Sequence, residues 1–128
     1  MAFMRAALEA PTARGVTERI LKNALELQTS TSGPRGCLHV ISSVACGAEA
    51  DSIKAEVVAR RASGEAALLA RFERAKAEGD LDEGIDPPDL VRYLMAVLQG
   101  MAIQAGSGVR RADLDQLVKT TMRVWPSR

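Results

Sequence analysis

One helix sets the strongest constraint on how this chain can fold. The segment LVRYLMAVLQGMAIQA, residues 90–105, contains a single charged side chain, and the DPPD sequence at 86–89 directly before it is a strong helix start. Projected at about 100° per residue, the apolar side chains fill an arc of about 160°, which is wider than the roughly 100° that a surface helix needs. We therefore predict a helix over residues 87–105 that is covered on more than one side.

A second face of this helix also lacks charge. Ala96 and Gly100 are small residues four positions apart that let another backbone come close, and Tyr93 and Ile103 lie beside them. Two explanations are open: a second copy of the chain covers this face, or the helix lies at the centre of its own domain. We favour the second copy, because one domain of 128 residues rarely has enough helices to cover both faces.

The rest of the sequence predicts an all-α domain. The composition is 47% apolar but only 3% aromatic, and Ala and Leu dominate over β-branched runs, which favours helices over strands. Apolar residues at helical spacing predict further helices over residues 12–28, 37–47 and 112–125, and a long helix from Asp51 to the stop signal at Gly79. The domain is thus expected to contain five helices of unequal length.

Charge and hydropathy argue against nucleic acid and membranes as partners of this chain. The formal net charge is +1, so no long-range field attracts nucleic acid or a membrane surface. No apolar run approaches the roughly 18 residues that a membrane span needs, and the first residues lack the apolar core of a signal peptide. A cytoplasmic location is expected.

The sequence offers little for catalysis or metal binding. His39 is the only histidine and Cys37 and Cys46 are the only cysteines, so we expect no metal and no cofactor. His39, Ser43 and Cys46 share one stripe of the short helix, but the chain has no nucleophile elbow and no acid to orient the histidine. We therefore expect no enzymatic activity. The stripe is either a solvated helix face or a polar wall of a pocket.

Several segments, in this order along the chain, resemble the C-terminal domain of TetR-type transcriptional regulators. They are ALEAPTARG at 7–15, GPRGCLHVISSVACG at 33–47, the stretch AKAEGDLDEGIDPPDLVRYLMAVLQGMAIQA at 75–105, and GVRRADLDQLVKTTMRVWP at 108–126. The resemblance lies in their combination and covers nearly the whole chain.

The resemblance implies a homodimer in which the last two long helices pack against those of the partner as a four-helix interface. On the helices 87–105 and 112–125, we expect six residues to lose accessible area on dimerisation: Tyr93, Val97, Gly100, Ile103, Thr121 and Val124. The total burial should reach the roughly 2,000 Å² or more that is typical of obligate dimers.

The resemblance also implies a pocket for a small, often apolar effector among the other helices. The apolar lining would come from inward stripes of three helices: Leu21, Leu25, Phe72, Met95 and Leu98. His39, Ser43 and Arg61 are the candidate polar contacts. Arg61 is either a cationic hook for an anionic effector or one half of a surface ion pair with Glu65.

In this family a three-helix DNA-binding unit with a helix-turn-helix precedes the domain. Residues 1–11 match only the end of the helix that links the two parts, and residues 12–128 are expected to form the effector-binding and dimerisation domain. Operator DNA would then be bound only through a unit outside this sequence.

The predicted function is therefore effector sensing and dimerisation in a TetR-like regulator, a repressor that responds to a small, mostly apolar ligand. The alternative is a structural dimerisation module whose side chains fill the pocket. An enzyme is the third and least supported hypothesis. An open cavity between the first, third and fourth long helices would favour the sensor over the module.

Overall fold

The computed structural model describes residues 2–30 and 51–127, with the side chains of residues 5–30, 59 and 62–127. These residues form five α-helices: α1 (Ala2–Leu8), α2 (Ala13–Gln28), α3 (Asp51–Ala77), α4 (Pro87–Gly106) and α5 (Arg111–Val124). The all-α prediction is confirmed. The helix predicted over 37–47, with Cys37 and Cys46, lies outside the described residues.

The helix ends follow the start and stop signals in the sequence. Thr12 is the N-cap of α2, and its hydroxyl oxygen accepts a hydrogen bond from the Gly15 N–H at 3.0 Å. The α3 helix ends just before Gly79, whose φ of 78° lies in the left-handed region that favours glycine. Pro87 begins α4, and Asp86 occupies the N-cap position without a side-chain capping bond. The DPPD sequence thus marks the start of α4 as predicted, without a capping bond from Asp86.

The helix α2 lies at the centre of the domain and contacts all four of the other helices. Its apolar residues recur at helical spacing and pack into one core with buried side chains of α3, α4 and α5. The largest fully buried members of this core are Val16, Ile20, Leu21, Leu68, Phe72, Leu94, Met101 and Leu114. Whether a second copy or the domain itself covers the second face of the 87–105 helix stays a prediction.

Buried polar contacts fix the turn between α1 and α2. Arg71 on α3 is only 6% exposed, and its guanidinium donates to the carbonyl oxygens of Leu8 at 3.2 Å and Ala10 at 3.0 Å. The Asp80 carboxylate accepts a hydrogen bond from the Ala13 N–H at 2.6 Å, at the positive end of α2. The last residues of α1 and the start of α2 are thus held by α3 and by the segment that follows it.

The first turn of α2 also holds the end of the last helix. The Arg14 guanidinium donates to the carbonyl oxygens of Met122 at 2.7 Å, Trp125 at 3.2 Å and Ser127 at 2.9 Å. Carbonyls at a helix C-terminus lack partners within the helix, and a basic side chain is a favourable one. An isolated antiparallel bridge between Leu81 and Ser127 holds the same chain segment from the other side.

An exposed ion pair joins α2 to the first turn of α5. Arg111 donates to the Glu26 carboxylate, and this hydrogen bond lowers the pKa of Glu26 below its ordinary value. Because the pKa of Glu26 is lowered in the folded state, the ion pair stabilises the fold at pH values above the ordinary pKa of a glutamate. This stabilisation is lost as the pH falls through the lowered pKa. Solvent screens both side chains, so the contribution to stability is small.

Candidate functional site

An apolar face of α4 is exposed among the residues that the structure describes. Tyr93 is 40% exposed and Ile103 is 57% exposed, while Val97 and Gly100 between them are half-buried. These four residues lie within an arc of about 120° on α4. At the end of α5, Val124 is 61% exposed.

Aromatic stacking joins the exposed residues of the two helices. The ring of Tyr93 stacks on that of Trp125 with centroids 6.0 Å apart and an interplanar angle of 24°. Trp125 directly follows Val124 and is itself buried against Phe72 in the core. The stacking places the exposed start of α4 beside the end of α5, and we call Tyr93, Val97, Gly100, Ile103 and Val124 together the α4–α5 face.

The chain's own packing does not require a glycine at position 100. A Cβ atom built at Gly100 meets nothing within 4 Å. Glycine inside a helix costs about 1 kcal/mol relative to alanine, and no contact within the chain offsets this cost. The exposed Ala96 lies one turn before Gly100, so two small residues mark a strip of α4 where another backbone has room to approach.

Thr121 differs from the other predicted interface residues. It is only 3% exposed within the single chain, and its hydroxyl donates to the Leu117 carbonyl oxygen at 2.8 Å. Such a residue has almost no accessible area left to lose to a second chain. We therefore remove Thr121 from the expected interface, while the other five residues keep their place as a prediction.

The apolar residues predicted to line a pocket lie together. Leu21, Leu25 and Phe72 are fully or almost fully buried members of the core. Met95 and Leu98 are half-buried and pack against this core from α4. Their proximity agrees with the prediction, while their role in ligand binding stays a prediction.

The predicted polar contacts cannot be placed in the same way. His39 and Ser43 lie outside the described residues, and Arg61 lies on α3 at a position whose side chain is not described. The roles assigned to these three residues stay predictions.

An open groove of about 560 Å³ runs between α3 and α4. Of the predicted pocket residues whose side chains are described, Met95 lines the groove and the four others do not. Glu65 and Leu69 of α3 face Arg92 and Ala96 of α4 across it. Because Ala96 is also next to Gly100, the groove borders the α4–α5 face. Sequence periodicity did not indicate this groove.

Sequence analysis also missed Gln28, a buried polar residue at the C-terminal end of α2. Gln28 is 3% exposed, and its amide Nε2 donates to the Leu98 carbonyl oxygen at 3.3 Å. Its Oε1 is buried and accepts no hydrogen bond from the residues that the structure describes. The signal was present in the spacing, because Gln28 follows Leu21 and Leu25 on the same buried stripe.

The described ranges contain neither a candidate metal site nor a candidate membrane span. Among the side chains of residues 5–30, 59 and 62–127, no three His, Cys, Asp or Glu residues converge on a point where a metal ion would fit. None of the helices formed by the described residues combines the length and apolar character that a membrane span requires.

Comparison with known proteins identifies the family. The family model described as "Tetracyclin repressor-like, C-terminal domain" matches residues 17–121. The chain belongs to the TetR family. The matched range includes α3 and α4 completely, most of α2 and all but the last turn of α5, so the core and most of the α4–α5 face belong to the TetR-type domain.

A relative of known function is a regulator of transcription. The chain is 29% identical over 98 residues to the HTH-type transcriptional repressor ComR of Escherichia coli K12, which covers 77% of the chain and 47% of ComR. The chain therefore spans about half the length of this curated TetR relative.

Solved TetR structures share the fold. A cysteine variant of the TetR family transcriptional regulator CifR, in complex with 26-bp double-strand operator DNA, matches with a TM-score of 0.84 and 30% identity. The match covers 98% of this chain and 66% of CifR. A TetR transcriptional regulator from Rhodococcus sp. RHA1 matches with a TM-score of 0.86 and 30% identity over 100% of this chain and 68% of its own.

Proposed function

We propose that residues 12–128 form the effector-sensing and dimerisation domain of a cytoplasmic TetR-family repressor without catalytic activity. The α4–α5 face is the observation that carries this proposal, because it is an apolar surface with a strip of small residues that the other described residues leave exposed. A second copy of the chain covers it most simply, since one two-fold axis pairs the same face on both subunits.

The repressor part of the proposal draws on the relatives. ComR is named a repressor, and CifR was solved with operator DNA. Both proteins are longer than this chain, and we propose that operator DNA is contacted by a unit that precedes residues 12–128, with residues 1–11 as the end of the linker helix. Light scattering tests the dimer directly: we expect twice the 13.7 kDa mass of one chain at micromolar concentration. A monomer would overturn the proposal.

The sensor part of the proposal places a mainly apolar effector beside α2 and α4. Met95 and Leu98 are half-buried and pack against the core to which Leu21, Leu25 and Phe72 belong. A ligand that covers the exposed parts of Met95 and Leu98 would bind the folded state alone and stabilise it by mass action. His39, Ser43 and Arg61 are its proposed polar contacts.

The substitution Leu98→Trp tests the sensor. In the wild type, we expect compounds from a diverse apolar panel to raise the melting temperature. Leu98→Trp should abolish this rise, because the larger ring occupies the space of the ligand, and should leave the dimer intact by light scattering. Leu69→Trp is the matched control, since Leu69 is also half-buried against the core but lines the α3–α4 groove. If Leu69→Trp rather than Leu98→Trp removes the rise, the effector binds in the groove.

A structural dimerisation module is the second candidate. The full burial of Leu21 and Phe72 favours it, because these side chains already have partners within the core. If no compound of the panel shifts the melting temperature of the wild type, the module replaces the sensor. The dimer is expected under both candidates.

We also expect residues 1–128 alone not to bind duplex DNA specifically. The formal net charge is +1, and neutralisation of phosphates supplies much of the affinity in protein–DNA complexes. Fluorescence anisotropy with labelled duplexes, in physiological salt, measures this. Sequence-selective binding would contradict the proposal that operator DNA is contacted by a unit that precedes residues 12–128.

A further inference from the structure

The side-chain amide of Gln28 has a fixed orientation. Its Nε2 lies 3.3 Å from the Leu98 carbonyl oxygen on α4. A carbonyl oxygen only accepts hydrogen bonds, so the donating NH₂ group must face it, and the amide oxygen Oε1 must point the other way. The chemistry of the partner therefore settles which end of the amide is which.

The amide oxygen Oε1, which points away from the Leu98 carbonyl, is a buried acceptor without a donor among the described residues. It has no hydrogen-bond partner among the described residues, although Gln28 is only 3% exposed. Buried polar atoms in native proteins almost always have a partner, so an unpaired one requires an explanation.

Two nearby donor groups among the described residues are already used elsewhere. The hydroxyl of Thr29 donates to the Leu25 carbonyl oxygen at 2.6 Å, and Arg111 is paired with Glu26. An effector molecule is a further source of a donor.

Gln28 also lies among residues of the proposed pocket. Leu25 precedes it by one helical turn on α2, and Leu98 supplies the carbonyl that holds its Nε2. Both leucines are apolar, so Oε1 is the polar atom that an apolar effector would meet there. A ligand hydroxyl or N–H in that position would pair with Oε1, whereas an ether or ketone oxygen would be placed against another acceptor.

We propose that Gln28 Oε1 selects the effector, so that the pocket prefers small apolar molecules that carry one hydrogen-bond donor. This inference rests on the proposed sensor function. Composition and periodicity did not indicate this role of Gln28. The expected ligands are apolar alcohols, phenols or molecules with a single N–H group.

Pairs of isomeric compounds that differ in having a hydrogen-bond donor isolate the contribution of that donor to binding. The alcohols 1-octanol and 2-phenylethanol have the same formulas as the ethers 1-methoxyheptane and benzyl methyl ether, but the ethers lack a donor. In thermal-shift titrations of the wild type, we expect the alcohols to bind about tenfold more tightly than their ether isomers, as expected for one hydrogen bond to a buried acceptor. In Gln28→Met, which keeps the length of the side chain and removes the acceptor, this ratio should fall to about one.

The controls keep the test independent of stability. The ratio of the affinity for the alcohol to the affinity for the ether is measured within each variant, so a general loss of stability in Gln28→Met cancels. Gln116→Met, at an exposed position of α5, should retain the wild-type ratio. If Gln28→Met does not fold, the ¹³C shift of the Gln28 side-chain carbonyl in the wild type gives the same answer, because it should move with the alcohol and stay fixed with the ether.

Each result has a defined meaning. Equal binding of alcohols and ethers by the wild type, or a preference that survives in Gln28→Met, overturns the role of Gln28 and leaves the sensor function in place. If neither alcohols nor ethers nor any other compound of the apolar panel shifts the melting temperature, the sensor function fails and the role of Gln28 fails with it.

Discussion

Gly100→Arg is expected to convert the dimer into folded monomers. None of the described residues lies within 4 Å of a Cβ atom at this position, so the arginine side chain is expected to fit the single subunit. It also removes a glycine from the interior of a helix, which favours α4 by roughly 1 kcal/mol. In the dimer, however, the same side chain would separate the two backbones or bury an unpaired charge, which costs several kcal/mol. We expect the dissociation constant to rise at least about a thousandfold.

Light scattering and circular dichroism at micromolar concentration measure this result. The variant should show the 13.7 kDa mass of one chain and a helical signal like that of the wild type, because the core around α2 is complete within one subunit. Gly64→Arg is the matched control, since it makes the same change in α3, where a Cβ atom also meets nothing within 4 Å. The α4–α5 face is not the interface if Gly100→Arg remains dimeric.

Arg71→Met is expected to lower the free energy of unfolding by about 2–4 kcal/mol. The methionine side chain fills much of the same space but donates no hydrogen bonds, so the carbonyl oxygens of Leu8 and Ala10 lose their buried donors. The substitution also removes the desolvated charge and the unpaired Nη1 of Arg71, which offsets part of the loss. Two charge-assisted hydrogen bonds outweigh one unpaired N–H group, so the net effect is destabilising.

Urea unfolding followed by circular dichroism gives the change in free energy, and hydrogen exchange shows where it acts. Amides of α1 should lose protection first, because Arg71 is the polar link that joins α3 to the end of α1. Arg74→Met, one turn further along α3, is the control: Arg74 is exposed and pairs with Glu78 at 3.4 Å, so its loss should cost less than about 0.5 kcal/mol. Equal effects of the two substitutions would show that the buried contacts add nothing.

Sequence reasoning predicted the parts of the fold that depend on neighbouring residues. The apolar periodicity and the signals at Thr12, Gly79 and Pro87 are local, and the observed helix ends agree with them. Periodicity shows which side of a helix is apolar but not which neighbour covers that side. The central position of α2 therefore emerged only from the structure.

The residues that sequence reasoning misjudged or missed are those whose partners are distant or internal. Thr121 is buried because its hydroxyl bonds to a carbonyl one turn earlier, which allows a polar residue to occupy an inward position. Arg71 and Gln28 are buried because backbone carbonyls of other elements accept their hydrogen bonds. Such contacts leave no periodic pattern in the sequence. Gly100 differs from these residues, because a small residue on an apolar helix face is itself a local signal, and its place in the interface stays a prediction.

The three hydrogen bonds of Arg14 also bear on how this domain folds as it is synthesised. Their carbonyl acceptors lie at Met122, Trp125 and Ser127, more than 100 residues further along the chain. While the ribosome is still adding the last helix, α2 can already contact α1, α3 and α4, but the carbonyl oxygens that Arg14 binds have not yet emerged. The contacts between the start of α2 and the end of α5 must therefore wait for the release of residues 122–127, and a nascent chain that stalls before this point would present the unpaired apolar surface of α2 to chaperones.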